Sequence, residues 1–145
     1  MLAKVLVIGR MKDRALSARA DEFLERCRAY GKVETVELPD SDVAREGKAL
    51  LRELDRERSS CIVVLSEEGK LLTTEAFASY LSAADRKIVF VIGGPFGLAP
   101  EVKARSSLLW SLSPLTFTHE LARLLLCEQL YRALNFNAGG SYHHR

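Results

Sequence analysis

Four polar side chains on the last predicted helix have the residue types of acid–base and charge-stabilising chemistry. The helix is predicted over His119–Phe136, and the four residues are His119, Arg123, Glu128 and Arg132. A histidine is disfavoured as a cation at a helix N-terminus, so we expect His119 to be neutral there. The two arginines need partners on an otherwise apolar helix, and Glu128 is the obvious local one. An ion pair and a catalytic role fit this pattern equally well.

The chain lacks the common sequence motifs of nucleotide binding, hydrolysis and metal binding. The glycines of Gly93–Gly97 do not have the G-x-G-x-x-G spacing of a dinucleotide site, and no Gly-Lys-Ser/Thr follows them. There is no G-x-S-x-G nucleophile motif. The histidines His119, His143 and His144 do not have the spacing of metal ligands. We therefore expect a site without a metal ion.

Two irregular loops, each directly following an apolar run in the sequence, form the best candidate for a ligand site. The run Ile88–Ile92 leads into the glycine-rich Gly93–Leu98, and the run Leu108–Leu112 leads into Ser113–Thr118. Apolar runs of this length fit strands buried on both faces of a parallel sheet. Ligands in open α/β sheets bind at the carboxyl ends of such strands. Glycines also simply make tight turns, but the hydroxyls of the second loop suit an adenine or a ribose.

The order of apolar runs and helical patterns predicts an α/β fold, with a mostly parallel sheet flanked by helices. A length of 145 residues corresponds to a single domain over residues 1–145. The alternating pattern of Val33–Leu38 places that strand near a sheet edge, and Ser66–Lys70 is predicted to be a polar turn. The predicted strands are Ala3–Ile8, Val33–Leu38, Cys61–Leu65, Ile88–Ile92 and Leu108–Leu112. Helices are predicted between them, including Asp42–Arg58, one starting at Thr73 and a short one starting at Pro100.

The last predicted helix is apolar on nearly all sides. Leu121 and Leu125 lie well away from Leu126 and Leu130 around the helix axis. A helix without a polar face must be covered on several sides. We therefore expect a homodimer in which a second copy of the chain supplies part of the cover.

The composition is that of an ordinary globular protein. Hydrophobic residues make up 48% and charged residues 28% of the chain, and the net charge of +2 predicts only weak binding to free RNA. No apolar run reaches the ~20 residues of a membrane helix. Cys27, Cys61 and Cys127 fall within apolar patterns, so we expect buried free thiols in a reducing compartment. Together these features predict a cytoplasmic protein without a membrane segment.

A family resemblance rests on the segments Val91–Leu98, Trp110–Ser113, Thr116–Arg123, Glu128–Ala133 and Tyr142–His143. Together they resemble the RlmH family, the bacterial methyltransferases of the SPOUT superfamily that modify N3 of a pseudouridine in 23S ribosomal RNA. The resemblance extends over the whole chain and is most specific in its last third. It implies S-adenosylmethionine as cofactor and the large-subunit rRNA of the assembled ribosome as substrate. It also implies a SPOUT-type fold with a C-terminal trefoil knot.

The same resemblance implies which residues form the site. One of the two histidines, His143 or His119, would accept the N3 proton. Arg123 would stabilise charge that develops on the carbonyl oxygens of the base, and the tail of one subunit would complete the pocket of the other. The cofactor would lie against Leu65, Gly93, Leu112, Ser113, Pro114, Leu115, Thr116 and Phe117. The catalytic or rRNA-facing residues would be His119, Arg123, Tyr142 and His143.

Two departures from the family pattern leave alternatives open. Phe96 stands where many relatives have a small or polar residue, often Glu, and this alters the rim of the pocket. The tail ends in Ser-Tyr-His-His-Arg, so that His144 is an addition to the usual pattern. Both features favour a non-catalytic, ribosome-associated protein with the same fold. A SPOUT methyltransferase that acts on another RNA nucleotide is the alternative among enzymes.

Overall fold

Strands and helices alternate along residues 1–144, the part of the chain that the computed structural model describes. Arg145, the last residue of the predicted tail, lies outside the described residues. The strands are β1 (Leu2–Ile8), β2 (Lys32–Leu38), β3 (Cys61–Leu71), β4 (Ile88–Ile92) and β5 (Leu108–Ser111). The helices are α1 (Arg14–Cys27), α2 (Val43–Asp55), α3 (Thr74–Ala83), α4 (Pro100–Ala104) and α5 (His119–Asn137).

The five strands form one sheet with the order β2-β1-β4-β3-β5, and every pairing is parallel. The predicted α/β fold is thereby confirmed, and β2 lies at an edge as its alternating pattern predicted. All residues of β4 are buried. The prediction that Leu108–Leu112 is buried on both faces is wrong, because β5 is the second edge strand and Leu108 and Leu109 are only half-buried. Apolar content alone does not distinguish a central strand from an edge strand.

Helices cover both faces of the sheet and give the molecule two hydrophobic layers. On one face, Phe90 of β4 packs in a cluster with Phe77 of α3 and Leu126 of α5. On the other face, Val91 packs in a cluster with Leu50 of α2. Neighbouring residues of one strand thus serve opposite layers, as the two-residue period of a strand requires. The carboxyl ends of the strands remain uncovered by this packing and are free to form a site.

The end of β3 differs from its predicted form. Ser66–Lys70 was expected to be a polar turn, but the strand continues to Leu71 through an irregularity in which Leu65 and Lys70 both pair with Trp110. The prediction of a turn is therefore wrong. The glycine in this segment packs against a strand instead, since a Cβ on Gly69 would lie 2.5 Å from the carbonyl oxygen of Leu109.

Helix α5 receives most of its cover from its own chain. It contacts both α1 and α3, and Leu126 and Leu130 are fully buried. Leu125 is half-buried, whereas Leu121 in the first turn is 39% exposed. The apolar surface left for a second copy is therefore smaller than the sequence indicated and lies near the start of the helix. None of the described helices is long and apolar enough to span a membrane.

The three cysteines are free thiols. Cys27 and Cys127 are buried as expected, while Cys61 is half-buried. Burial raises the pKa of Cys27 to about 11 and that of Cys127 to about 12. Both buried thiols are consequently protonated at neutral pH and serve as small apolar packing groups.

The close approach of Gly69 to β5 predicts the effect of adding one methyl group. Replacing Gly69 by Ala places the new Cβ against backbone atoms of Leu109 and Trp110, which are held in the sheet and have little freedom to move. We expect Gly69→Ala to lower the free energy of unfolding by about 1–3 kcal/mol in urea titrations. Glu67→Ala, at an exposed position of the same segment, is the control and should change it by less than about 0.5 kcal/mol. Equal stability of the two variants would contradict the packing described here.

Candidate active site

A cleft of about 1020 Å³ opens at the carboxyl ends of the parallel strands. Its walls are the irregular second half of β3, the loops that follow β4 and β5, and the first turns of α1 and α5. The two loops that the sequence singled out therefore lie on one cleft. They are not neighbours, because β3 runs between β4 and β5 in the sheet. The irregular end of β3 supplies the wall between them.

Most of the residues predicted to hold a cofactor line this cleft. Pro114 is not among the lining residues and is exposed in the loop behind β5. Phe96 is not a lining residue either and does not fill the space between the two loops. The predicted residues that do line the cleft are Leu65, Gly93, Leu112, Ser113, Leu115, Thr116 and Phe117.

The glycine loop behind β4 is a tight turn that brings backbone to the cleft. The amide of Gly97 donates a hydrogen bond of 3.1 Å to the carbonyl oxygen of Gly94. Gly97 has a φ of +86°, in the left-handed region that favours glycine. At Gly93 a Cβ would lie 2.8 Å from the side chain of Leu98, so this position has no room for a larger residue. The turn thus depends on glycine at two positions, and only Gly97 has open space beside it, since a Cβ there would meet nothing within 4 Å.

The loop behind β5 is shaped by its own hydroxyl groups. The hydroxyl of Ser111 donates to the carbonyl oxygen of Ser113 at 2.9 Å, and Ser113 Oγ accepts from the amide of Leu115 at 3.0 Å. Thr118 then caps α5 by accepting a hydrogen bond from the amide of Leu121. The predicted contact of Ser113 with an adenine or a ribose must therefore share this hydroxyl with the loop itself, whereas Thr116 is exposed.

His119 lies at one end of the cleft, where α5 begins beside the loop behind β1. A Cβ on Gly9 would lie 4.0 Å from Nε2 of His119, so the imidazole lies close to the glycine backbone. The next residue stabilises this arrangement, because Glu120 Oε1 accepts hydrogen bonds from the amides of Lys12 and Asp13 at 2.9 and 3.0 Å. Hydrogen bonds from two backbone amides to the Glu120 side chain therefore hold the start of α5, which carries His119, against the loop that follows β1.

Arg123 lies outside the cleft and has a different partner from the one predicted. Its Nη1 pairs with Oε2 of Glu37 in β2 at 2.6 Å, and the residue is 9% exposed. Glu128 pairs with Arg132 at 2.7 Å instead, as the sequence indicated for that arginine. The expected pairing of Arg123 with Glu128 is wrong because five residues separate them, which places the side chains about 140° apart around the helix.

Tyr142 and His143 lie in a polar cluster on the middle of α5, which we call the tail cluster. The Tyr142 hydroxyl lies 3.2 Å from Glu128 Oε1, and the guanidinium of Arg132 lies 4.7 Å from the centre of the tyrosine ring. Burial, reinforced by the carboxylate of Glu128, raises the pKa of Tyr142, so the phenol stays protonated. The members of the tail cluster are Glu75, Glu128, Arg132, Tyr142 and His143.

The contacts of His143 fix the position of its proton. Nδ1 lies 3.2 Å from Nη1 of Arg132, and Nε2 lies 3.2 Å from Oε1 of Glu75. An arginine can only donate hydrogen bonds, so Nδ1 accepts and Nε2 donates to Glu75. Glu128 follows His119 by nine residues, a distance of about 14 Å along a helix. Within one chain, the predicted catalytic residues thus separate into His119 in the cleft, Arg123 beside β2, and the two tail residues.

Several residues of the cleft were not predicted. Glu67 and Glu68 follow the buried part of β3, and Glu68 pairs with Lys103 of α4 at 3.3 Å. Trp110 is 3% exposed, stacks on Phe77, and its Nε1 has no hydrogen-bond partner among the described residues. Carboxylates directly behind a buried strand are a sequence pattern that could have identified the glutamates. No local pattern identifies the indole.

The carboxylates make the cleft suited to a cationic ligand. Asp13, Glu67, Glu68 and Glu120 line it, while Lys103 is the single lysine or arginine among the lining residues. Asp13 also caps α1, accepting the amides of two residues with one oxygen. A low-dielectric cleft with excess negative charge attracts positive groups and disfavours phosphate.

A family model described as "Predicted SPOUT methyltransferase" matches residues 1–143 of this chain. The chain is 41% identical over 144 residues to a protein of Sorangium cellulosum named ribosomal RNA large subunit methyltransferase H, with 97% of both chains covered. The protein of the same name from Symbiobacterium thermophilum is 36% identical over 160 residues, and the match covers 99% of this chain and 99% of that protein. These matches extend over nearly the full length of both proteins.

Solved structures with similar folds come from methyltransferases. A probable methylase family protein from Haemophilus influenzae Rd KW20 has a TM-score of 0.60 at 14% identity, covering 99% of this chain and 70% of that one. The SpoU methyltransferase AviRb from Streptomyces viridochromogenes was solved in complex with the cofactor AdoMet. It has a TM-score of 0.52 at 13% identity, covering 97% of this chain and 59% of that one. At these identities the likeness concerns the fold alone.

The contacts of Glu120 predict a measurable change in the loop behind β1. In Glu120→Ala the amides of Lys12 and Asp13 lose their acceptor. We expect both amides to exchange with deuterium faster, and the protein to lose about 1 kcal/mol of stability. Glu22→Ala, which removes only exposed ion pairs on α1, should leave both exchange rates unchanged. Unaltered exchange at Lys12 and Asp13 in Glu120→Ala would show that this tie does not hold the loop.

Proposed function

This chain belongs to the SPOUT methyltransferase family, and from that membership we propose that it methylates large-subunit ribosomal RNA with S-adenosylmethionine. The target is N3 of a pseudouridine in the 23S rRNA of the assembled ribosome, which places the protein in the cytoplasm. The observation that carries the proposal is that one cleft is lined by residues of the glycine loop (Gly93–Leu98), by residues of the hydroxyl-rich loop (Ser113–Thr118) and by His119. These are the segments on which the family resemblance rests.

The residues of the cleft fit S-adenosylmethionine. When bound, this cofactor supplies an electrophilic methyl group on a positively charged sulfonium. The carboxylates of Glu67 and Glu68 suit that charge, and Gly97 leaves open space in the same lining, since a Cβ there would meet nothing within 4 Å. We propose that Leu65, Gly93 and the segment 112–117 hold the cofactor.

Within one chain, His119 is better placed than His143 to accept the proton. It lines the cleft, whereas His143 is held between Arg132 and Glu75 with its proton on Nε2. A neutral imidazole next to the bound base can take up the N3 proton as the new bond forms. Arg123 is paired with Glu37, so it positions the first turns of α5 and does not contact the base.

We also propose a homodimer and the C-terminal trefoil knot of the SPOUT fold. The exposed leucines Leu115 and Leu121 both line the cleft, and a second copy would cover them. In such a dimer the tail of one chain would complete the cleft of the other. The strand order and the parallel register are compatible with the knot.

The structure removes one of the two reasons for considering a non-catalytic protein. It rested on Phe96 as an obstruction of the pocket and on the altered tail, but the Phe96 side chain is 79% exposed and lies outside the cleft lining. A methyltransferase that acts on another nucleotide can be distinguished by experiment, because it would methylate a different position in the RNA.

Calorimetry and methyl transfer together test the proposed function. We expect the purified protein to release or absorb heat with S-adenosylmethionine at a single site per chain. With radiolabelled cofactor, we expect it to methylate assembled ribosomes and to leave protein-free 23S rRNA largely unmodified, since a net charge of +2 provides little affinity for RNA alone. Mapping should place the methyl group on a pseudouridine. No heat with the cofactor rejects the enzyme, and a different methylated nucleotide supports the alternative target.

Two histidine variants test the assignment of the proton acceptor. We expect His119→Ala to lower kcat by about 10²-fold or more, the usual contribution of a general base. His143→Ala should retain most of the kcat, because His143 lies in the tail cluster. The cofactor affinity of both variants, measured by calorimetry, controls for damage to the cleft. The opposite ranking of the two kcat values would assign the proton to the tail of the second subunit.

A further inference from the structure

Phe96 is the most exposed of the large hydrophobic side chains among residues 1–144. Its exposed fraction is 79%, compared with 68% for Leu115 and 54% for Leu71. Burial in the core therefore does not explain an aromatic residue at this position. Contact of the exposed phenyl ring with an apolar surface of a partner would remove it from water and would be favourable.

The turn that carries Phe96 is well defined. Gly94 and Gly97 close it through a hydrogen bond of 3.1 Å and an isolated bridge, and Pro95 and Phe96 stand at its two corners. Proline fixes its own φ and restricts the turn further. The ring is thus presented on a short, restrained backbone, which lowers the entropy lost when a partner binds.

The ring stands at the rim of the cleft, outside the proposed cofactor site. Both of its chain neighbours, Pro95 and Gly97, line the cleft, whereas Phe96 does not. An RNA that covers the mouth of the cleft can therefore contact this ring. Most of the charged side chains that line the cleft are carboxylates, including Glu67 and Glu68, which disfavour contact with phosphate groups. The flat face of a nucleobase is the part of an RNA that suits this rim.

We propose that Phe96 stacks on a nucleobase of the substrate RNA and so positions the target nucleotide over the cleft. Aromatic side chains bind unstacked RNA bases in this way, with a sequence-tolerant contact between ring faces. The role concerns substrate binding and orientation, while the cofactor site and the proton acceptor are formed by other residues. The inference rests on the proposed function, because it requires RNA as the substrate.

Substitutions that separate ring stacking from apolar contact test this inference. Phe96→Ala should raise the KM for assembled ribosomes roughly tenfold through loss of one stacked base. Its kcat should stay within about twofold, and its affinity for S-adenosylmethionine should be unchanged. Phe96→Tyr and Phe96→Trp should restore the wild-type KM, whereas Phe96→Leu should behave like Phe96→Ala. Leu2→Ala is the control, since Leu2 is 44% exposed at the opposite end of the strands.

Each alternative gives a different result. A wild-type KM in Phe96→Ala or in Phe96→Leu overturns stacking as the role of the ring. Loss of cofactor affinity in Phe96→Ala overturns the position of the ring outside the cofactor site. A change in sedimentation of Phe96→Ala would show that the ring covers a contact between protein chains, which also overturns the proposal. Absence of ribosome methylation by the wild-type protein overturns the proposed function, and this inference with it.

Discussion

Parallel pairing of the strands is the constraint on which the whole site depends. Because all pairings in the sheet are parallel, the second half of β3 and the loops that follow β4 and β5 lie at the same end of the sheet. This geometry joins segments that lie far apart in the sequence into one cleft. Nothing in the sequence between the glycine turn and the hydroxyl-rich loop links them. They lie on one cleft only because the strands that precede them run in the same direction.

The cleft and the tail cluster are held by different kinds of contact. In the cleft, backbone carries much of the structure: Glu120 binds two amides of the loop behind β1, and Gly97 closes the turn behind β4. The tail is held mainly through side chains, such as the pairs of His143 with Arg132 and Glu75. These are hydrogen bonds of a neutral imidazole, because Nδ1 accepts from Arg132 and Nε2 donates to Glu75. The ring of Tyr142 also packs against that of Tyr131, with the ring centroids 4.8 Å apart. Hydrogen bonds to backbone amides thus hold the loops of the cleft, whereas side-chain contacts to α3 and α5 hold the tail.

The sequence predicted the features that local patterns encode. Each of the five predicted strands is present, because a strand that packs against a core needs apolar residues at its inward positions, and these are visible in the sequence. The glycine and hydroxyl loops lie on one cleft because they follow two of those strands. The sequence failed where a distant partner decides the outcome. Arg123 pairs with Glu37, which is 86 residues away, and the polar segment after Leu65 continues as a strand because β5 resumes pairing at Lys70. The placement of Tyr142 and His143 likewise depends on α3 and α5, and no spacing within the tail encodes it.

Chemical-shift mapping with S-adenosylmethionine tests the central claim most directly, since it locates the bound cofactor without requiring the RNA substrate. The backbone amides of a uniformly ¹⁵N-labelled protein report which loops the cofactor contacts. We predict that the largest shift changes fall in Gly93–Leu98, in Ser111–His119 and at the end of β3, while the amides of Tyr142 and His143 change little. Changes confined to the tail cluster, or to the glycine loop without the loop behind β5, would contradict the account of one cleft built from parallel strand ends.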